Sequence, residues 1–114
     1  MKTSGFASFA EFWPYYLSEH ANPTNRRLHF VGTTLNNLCL VAAIATFDFR
    51  LLLLGPVFGY GFAWIGHFGV EKNRPATFTH PLWSLIGDYR MYGLMLTGHL
   101  WVPPPGARMP RQAE

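Results

Sequence analysis

The sequence predicts an all-α fold: a small helical membrane protein built on a transmembrane helix hairpin, with amphipathic or interfacial helices at its N- and C-terminal ends. Three observations predict it. Hydrophobic residues make up 49% of the 114 positions and charged residues only 13%, about half the charged share of a typical soluble domain. The apolar residues are also concentrated, since between Leu28 and Val70 the only carboxylate, basic or thiol side chains are His29, Cys39, Asp48, Arg50 and His67. Finally, Asp48-Phe49-Arg50 separates two runs of about twenty residues, each long enough to cross a roughly 30 Å hydrocarbon layer. The competing expectation is a soluble bundle that buries both central helices. A domain this small cannot easily surround two helices that are apolar on every side.

Residues 1–106 are expected to form one helical membrane domain and residues 107–114 a loose tail, because Val102-Pro-Pro-Pro-Gly106 stops any helix before it. Met1-Lys2-Thr3-Ser4 lacks the uninterrupted apolar core of a signal peptide, so removal of the N-terminus is not expected. The single cysteine allows no internal disulfide. Net charge is +3, with no basic run interleaved with aromatics, so no nucleic-acid partner is expected. The basic residues instead bracket the apolar runs. Lys2, Arg26 and Arg27 precede the first, Lys72 and Arg74 follow the second, and only Arg50 lies in the turn. The positive-inside rule then turns the N-terminus and the loop after the second run toward the cytoplasm, in an inner, plasma or endoplasmic-reticulum membrane.

Residues 5–20 are too aromatic for a linker and too polar to span a bilayer. Phe6, Phe9 and Trp13 recur at helical spacing, and Trp13, Tyr15 and Tyr16 are types that settle at headgroup level. An interfacial helix kinked near Pro14 and closed by His20 is predicted. Asn22 then caps a helix that starts at Pro23 and runs to about Phe47. On it His29, Thr33, Asn36 or Asn37, and Leu40 form a stripe, mostly polar, that faces another helix or a cavity rather than lipid. The second span, Leu51 to Val70, carries Gly55, Gly59, Gly61, Gly66 and Gly69, a small-residue surface that permits close helix approach. Pro75 and Pro81 interrupt the chain beyond it. Pro81 to Trp101 reads as a last helix with Asp88, Tyr92, Met95 and His99 on one side, packed over the mouth of the hairpin.

The chemistry is expected where the hairpin ends meet. An antiparallel hairpin brings His29, near the start of one helix, level with His67, near the end of the other, while His20 and His80 flank them in sequence. Each histidine alone has an ordinary structural explanation, but four converging imidazoles make a metal site. All-nitrogen ligation suits iron, zinc, copper or nickel. Glu71 lies four residues after His67, so on a continuous α-helix the two share a face and can share a ligand or a hydrogen bond. Arg26, Arg27 and Arg74 beside such a site are suited to an anionic headgroup, or serve only to set topology.

Three stretches carry a resemblance: Phe12 to His20, Asn22 to Thr33 with its His-x-x-Pro-x-x-Arg-x-x-His spacing from His20 to His29, and Gly66 to Pro75 with Gly-His-x-x-x-Glu followed by Arg-Pro-Ala. They resemble the small membrane proteins related to the fungal 2-hydroxy fatty acid dioxygenase of phytosphingosine breakdown. The resemblance covers most of residues 6–97. It implies an integral membrane, Fe(II)-dependent dioxygenase of fatty-acid α-oxidation, which uses O2 to shorten a lipid-like 2-hydroxy acyl substrate by one carbon. His20, His29 and His67 fall on the family's motif histidines and Glu71 on its motif acid. Phe78-Thr79-His80-Pro81 matches only the shorter members, and the additional hydrophobic segments of the longer members are absent. On this reading His20, His29, His67 and His80 hold the metal, Glu71 acts beside it, and Arg26 and Arg74 receive the substrate carboxylate. Zinc with Glu71 as general base of a hydrolase, and a non-enzymatic lipid- or partner-binding module, are the alternatives.

Overall fold

In the computed structural model, which describes residues 6–101, the chain forms four α-helices: α1 (Phe9–Ser18), α2 (Pro23–Thr46), α3 (Leu51–Trp64) and α4 (Pro81–Leu96). Helix α3 continues as a π-helical segment, Ile65–Glu71, and a 3-10 turn, Ala76–Phe78, precedes α4. The predicted tail, residues 107–114, lies outside the described residues.

The starts and stops follow local chemistry. Ser8 caps α1 by accepting from the Glu11 amide, and Pro14 sits inside that helix. Asn22 caps α2 through its side chain on the Thr24 amide, with Pro23 in the first helical position, where its missing N–H costs nothing. Phe47 ends α2 in the left-handed region at φ 57°. Arg50 and Asp48 then form a 2.8 Å ion pair on the exposed turn.

Helix α4 ends five residues before the predicted Trp101. Gly98 adopts φ +92°, and the amides of Gly98 and His99 turn back onto the carbonyls of Met95 and Leu94, the paired bonds of a Schellman stop. His99 therefore lies beyond the helix, exposed, with Nδ1 3.0 Å from Thr97 Oγ1.

Helices α2 and α3 form the hairpin, and their close approach depends on small residues. A Cβ on Gly32 would come within 2.9 Å of Phe62 Cβ, and one on Gly55 within 2.3 Å of Asn36 Oδ1. Both arms, Pro23–Thr46 and Leu51–Glu71, are long and apolar enough to cross a membrane, yet only 17% of each apolar window is buried by protein. Leu53 is 77% exposed, and Val41 and Ile44 are each 63% exposed. Apolar faces of that extent suit a bilayer or a partner surface.

The packed core lies at the other end of the molecule, where Phe12 and Tyr16 of α1 meet Met91 and Met95 of α4 and Ala76 of the 3-10 turn. There α1, the π-helical segment and α4 close around the ends of the hairpin. Arg90 lies over the Trp13 ring, 4.4 Å from its centroid, a cation–π contact for one of α4's two charges.

Candidate metal centre

His20, His29 and His67 come together as the sequence predicts. All three are buried, and one ring nitrogen from each lies within 4.8 Å of the others. Their ring centroids are 4.5, 4.5 and 4.9 Å apart, every pair steeply inclined. His20 comes from the turn after α1, His29 from the second turn of α2, and His67 from the π-helical end of the α3 arm. The hairpin sets the last two at one level, and the short α1–α2 connection drops His20 between them.

Each imidazole is held by its other nitrogen. His20 Nδ1 is 2.7 Å from the Tyr16 carbonyl, His29 Nδ1 is 3.0 Å from the Asn25 carbonyl, and His67 Nδ1 is 2.7 Å from Asn73 Oδ1. The first two partners are one helical turn back, so the helix itself supplies the acceptor. Asn73 is oriented by its own Nδ2, which donates to the Glu19 carbonyl and to Glu19 Oε1. Since all three oxygens can only accept, each Nδ1 carries the proton and each Nε2 keeps its lone pair.

The Nε2 atoms of His20 and His29 are 3.1 Å apart. Two lone pairs at that distance repel unless a proton or a cation sits between them. Two nitrogens each about 2.1 Å from one ion, at right angles, would stand roughly 3.0 Å apart. The donor set therefore fits a borderline divalent metal of the iron–zinc group. Burial, then the neighbouring imidazoles of His29 and His67, holds His20 well below the ordinary histidine range. Its neutral, ligating form is favoured accordingly.

His80 stands apart from this group. Pro81 starts α4 immediately after it, and its ring stacks on Trp83 at 5.9 Å and 5°, with Phe12 and Phe6 at 5.3 and 5.4 Å. Aromatic packing around the start of α4 holds it, half-buried, against Phe12 and Trp83, so the expected fourth histidine is missing from the triad.

Glu71 is displaced by helix type. Within the π-helical segment the turn is wider than an α-turn, so residues four apart no longer share a face. The Glu71 carboxylate instead accepts from the Asn22 amide at 2.6 Å and from Asn25 Nδ2 at 3.3 Å, where it caps the positive end of α2. The predicted His67–Glu71 pairing is replaced by His67–Asn73.

Neither Arg26 nor Arg74 borders the cavity described below. Side chains of a helix lean toward its N-terminus, and Arg26 accordingly reaches back, donating through Nε to the His20 carbonyl at 2.6 Å and through Nη1 toward the Leu100 carbonyl at 3.4 Å. Arg74 is exposed and lies over the Phe78 ring at 5.3 Å.

The triad lines a cavity of about 180 Å³ between α2, α3 and α4. Thr33 and Asn36 line it from the predicted stripe of α2, Gly59 and Ala63 from α3, and Ser84 and Asp88 from α4. Tyr16 forms a wall shared with the triad. Its ring stacks on His20 at 4.1 Å and 22°, packs over Gly87, and its hydroxyl donates to Asp88 Oδ1. Burial pushes the Asp88 carboxyl up to about 7, against the opposing effect of that hydrogen bond. Burial, reinforced by Asp88, raises the Tyr16 hydroxyl well above its ordinary value.

Asn73 and Tyr16 are the site residues that the sequence did not single out. Asn73 follows the π-helical segment by two residues, and no periodic signal marks it. Tyr16 is four residues before His20, a spacing that was legible but was absorbed into the aromatic pattern of α1.

Across residues 6–100 the sequence matches the family described as 2-hydroxy-palmitic acid dioxygenase Mpo1-like. Neither the curated proteins nor the solved structures contain a significant match.

Proposed function

Because this chain belongs to the 2-hydroxy-palmitic acid dioxygenase Mpo1-like family, we propose that it is a membrane-embedded, Fe(II)-dependent dioxygenase of 2-hydroxy fatty acids, acting on the cytoplasmic side of the membrane. One observation carries the reading: three buried imidazoles, each with Nδ1 fixed on an oxygen, gather with one ring nitrogen from each within 4.8 Å of the others, on a cavity that mixes apolar walls with a few polar side chains.

His20, His29 and His67 are the proposed ligands. Ferrous iron held there would supply the O2 chemistry that shortens a 2-hydroxy acid by one carbon. The chain's own residues prepare the site. The carbonyls of Tyr16 and Asn25 and the amide of Asn73 lock the three tautomers, which keeps the donor nitrogens aligned before metal arrives. Tyr16, stacked on His20, fixes that ring's plane. Trp64, Leu85 and Pro56 give the cavity apolar walls.

A cavity of about 180 Å³ is smaller than the roughly 300–1,000 Å³ typical of whole-ligand pockets. It accommodates a carboxylate head and the first carbons of an acyl chain. The remaining tail would run out along the apolar outer face of the hairpin, where a bilayer would solvate it. A substrate delivered by lateral diffusion in the membrane suits this arrangement. The basic residues Arg26, Arg27, Lys72 and Arg74 cluster at the same end of the hairpin, which supports a cytoplasmic orientation.

The zinc-hydrolase alternative needs a general base beside the metal, and Glu71 is instead committed to the N-terminus of α2. The test is to supply 2-hydroxypalmitic acid to the anaerobically purified, ferrous-loaded chain and admit O2. Appearance of the acid shortened by one carbon, dependent on both iron and O2, supports the dioxygenase. Turnover of an ester or amide without O2 would favour the hydrolase.

A further inference from the structure

Helix α4 contributes Ser84, Leu85, Asp88 and Tyr89 to the cavity lining, and one of these side chains does not match a structural role. Ser84 and Asp88 are four residues apart, so they share one face of α4, and both border the cavity. Ser84 is 2% exposed, yet its Oγ is buried without a hydrogen-bond partner. A hydroxyl in a helix ordinarily bonds back to a carbonyl one turn earlier, as Thr34 Oγ1 does to Phe30. An orphaned hydroxyl at such a position costs stability that an alanine would not, so a ligand that would satisfy it is the physical explanation.

Asp88 is the second member of this face. Its Oδ1 is occupied by the Tyr16 hydroxyl, and the pair is pinned from below by Gly87, where a Cβ would come within 2.9 Å of the Tyr16 ring. With Oδ1 taken, Oδ2 remains to accept from a ligand.

We propose that the Ser84–Asp88 face of α4 is the head-group subsite of the cavity, where Ser84 Oγ donates to the carboxylate of a 2-hydroxy fatty acid and Asp88 accepts from its 2-hydroxyl. The assignment rests on the dioxygenase reading above for the ligand class. It assigns to α4 the role that the arginines were expected to play, and it makes Asp88 the residue that distinguishes a 2-hydroxy acid from an unsubstituted one.

The experiment is equilibrium binding of radiolabelled 2-hydroxypalmitate and of palmitate to the full-length, ferrous-loaded chain in detergent, without O2 so that no turnover occurs. It compares the wild type with Ser84→Ala and Asp88→Asn. Ser84→Ala is expected to weaken both ligands about tenfold or more, the loss expected for one hydrogen bond to a charged group. Its melting temperature should be unchanged or higher, because the deleted hydroxyl has no internal partner. Asp88→Asn, which preserves the acceptor for Tyr16, is expected to bring the two affinities within about threefold of each other. Unchanged affinities in Ser84→Ala would overturn the subsite, and a preserved preference in Asp88→Asn would overturn the hydroxyl assignment. If the wild type turns over 2-hydroxypalmitate while these variants bind like it, only this inference fails. A wild type that neither binds iron nor turns over the acid removes the dioxygenase reading and this inference with it.

Discussion

Gly66→Ala should be among the most damaging single-methyl additions in this chain. A Cβ at Gly66 would lie 1.8 Å from Asn25 Oδ1 and 2.8 Å from Asn25 Cγ, with the Asn25 Cα only 3.4 Å away. Asn25 is fully buried, so its side chain has no open space into which to retreat. Moving it breaks the bond from Nδ2 to Glu71 and shifts the residue whose carbonyl orients His29. Overpacking costs about 1–3 kcal/mol and loss of a hydrogen bond to a charged group about 1.5–3 kcal/mol. The helix preference of alanine over glycine returns roughly 1 kcal/mol. The net loss is about 1.5–5 kcal/mol, accompanied by weaker metal binding because His29 loses its register. Gly69→Ala is the control, since nothing lies within 4 Å of its added Cβ, and it should be neutral or slightly stabilising. The assay is reversible unfolding in mixed micelles followed by circular dichroism, with Fe(II) affinity measured on the folded fraction. A Gly66→Ala chain as stable as Gly69→Ala, with the same iron affinity, would refute the packing argument.

Two other perturbations act at a distance from the donor atoms. Asn73→Leu leaves His67 Nδ1 without its oxygen, and Fe(II) affinity by anaerobic titration should fall about 10–100-fold while the helical content persists. Asp88 provides a pH signature. Its carboxyl titrates at about 7 in the folded chain, against 3.8 as its ordinary value. The folded state therefore binds the proton more tightly. The associated stability is fully present below about 4 and is lost as pH rises through 7, at most roughly 4 kcal/mol. The difference in unfolding free energy between the wild type and Asp88→Asn should therefore shrink as pH rises from 4 to 8. Buried neutral histidines such as His20 pull the absolute stability the other way and cancel in that comparison.

How far the sequence reached can be judged residue by residue. Asn22-Pro23 marked the start of α2 to the residue, because a cap and a proline are local signals. The two apolar runs marked the hairpin, and the hairpin implied that His29 and His67 share a level. What the sequence hid was helix type. A π-helical segment has the composition of an α-helix, so the four-residue spacing of His67 and Glu71 pointed to a pair that the wider turn separates. The same widening leaves His67 to Asn73 and sends Glu71 to cap α2. His80 was placed by proximity in sequence, whereas tertiary aromatic packing around Phe12 and Trp83 decides its position. The arginines were assigned by charge alone, and the backward lean of helical side chains carries Arg26 away from the cavity. Tyr16 and Ser84 carry no charge and fit an apolar pattern, so only three-dimensional placement reveals them.

If His20, His29 and His67 form one metal site, metal analysis by mass spectrometry will show it. The chain is purified anaerobically in detergent without a metal-binding tag, alongside His29→Ala and His67→Ala. About one iron is expected per wild-type chain, lost in both variants while their helical circular dichroism is retained. A wild type that holds no iron and takes up none from Fe(II), or variants that keep their full complement, would contradict it.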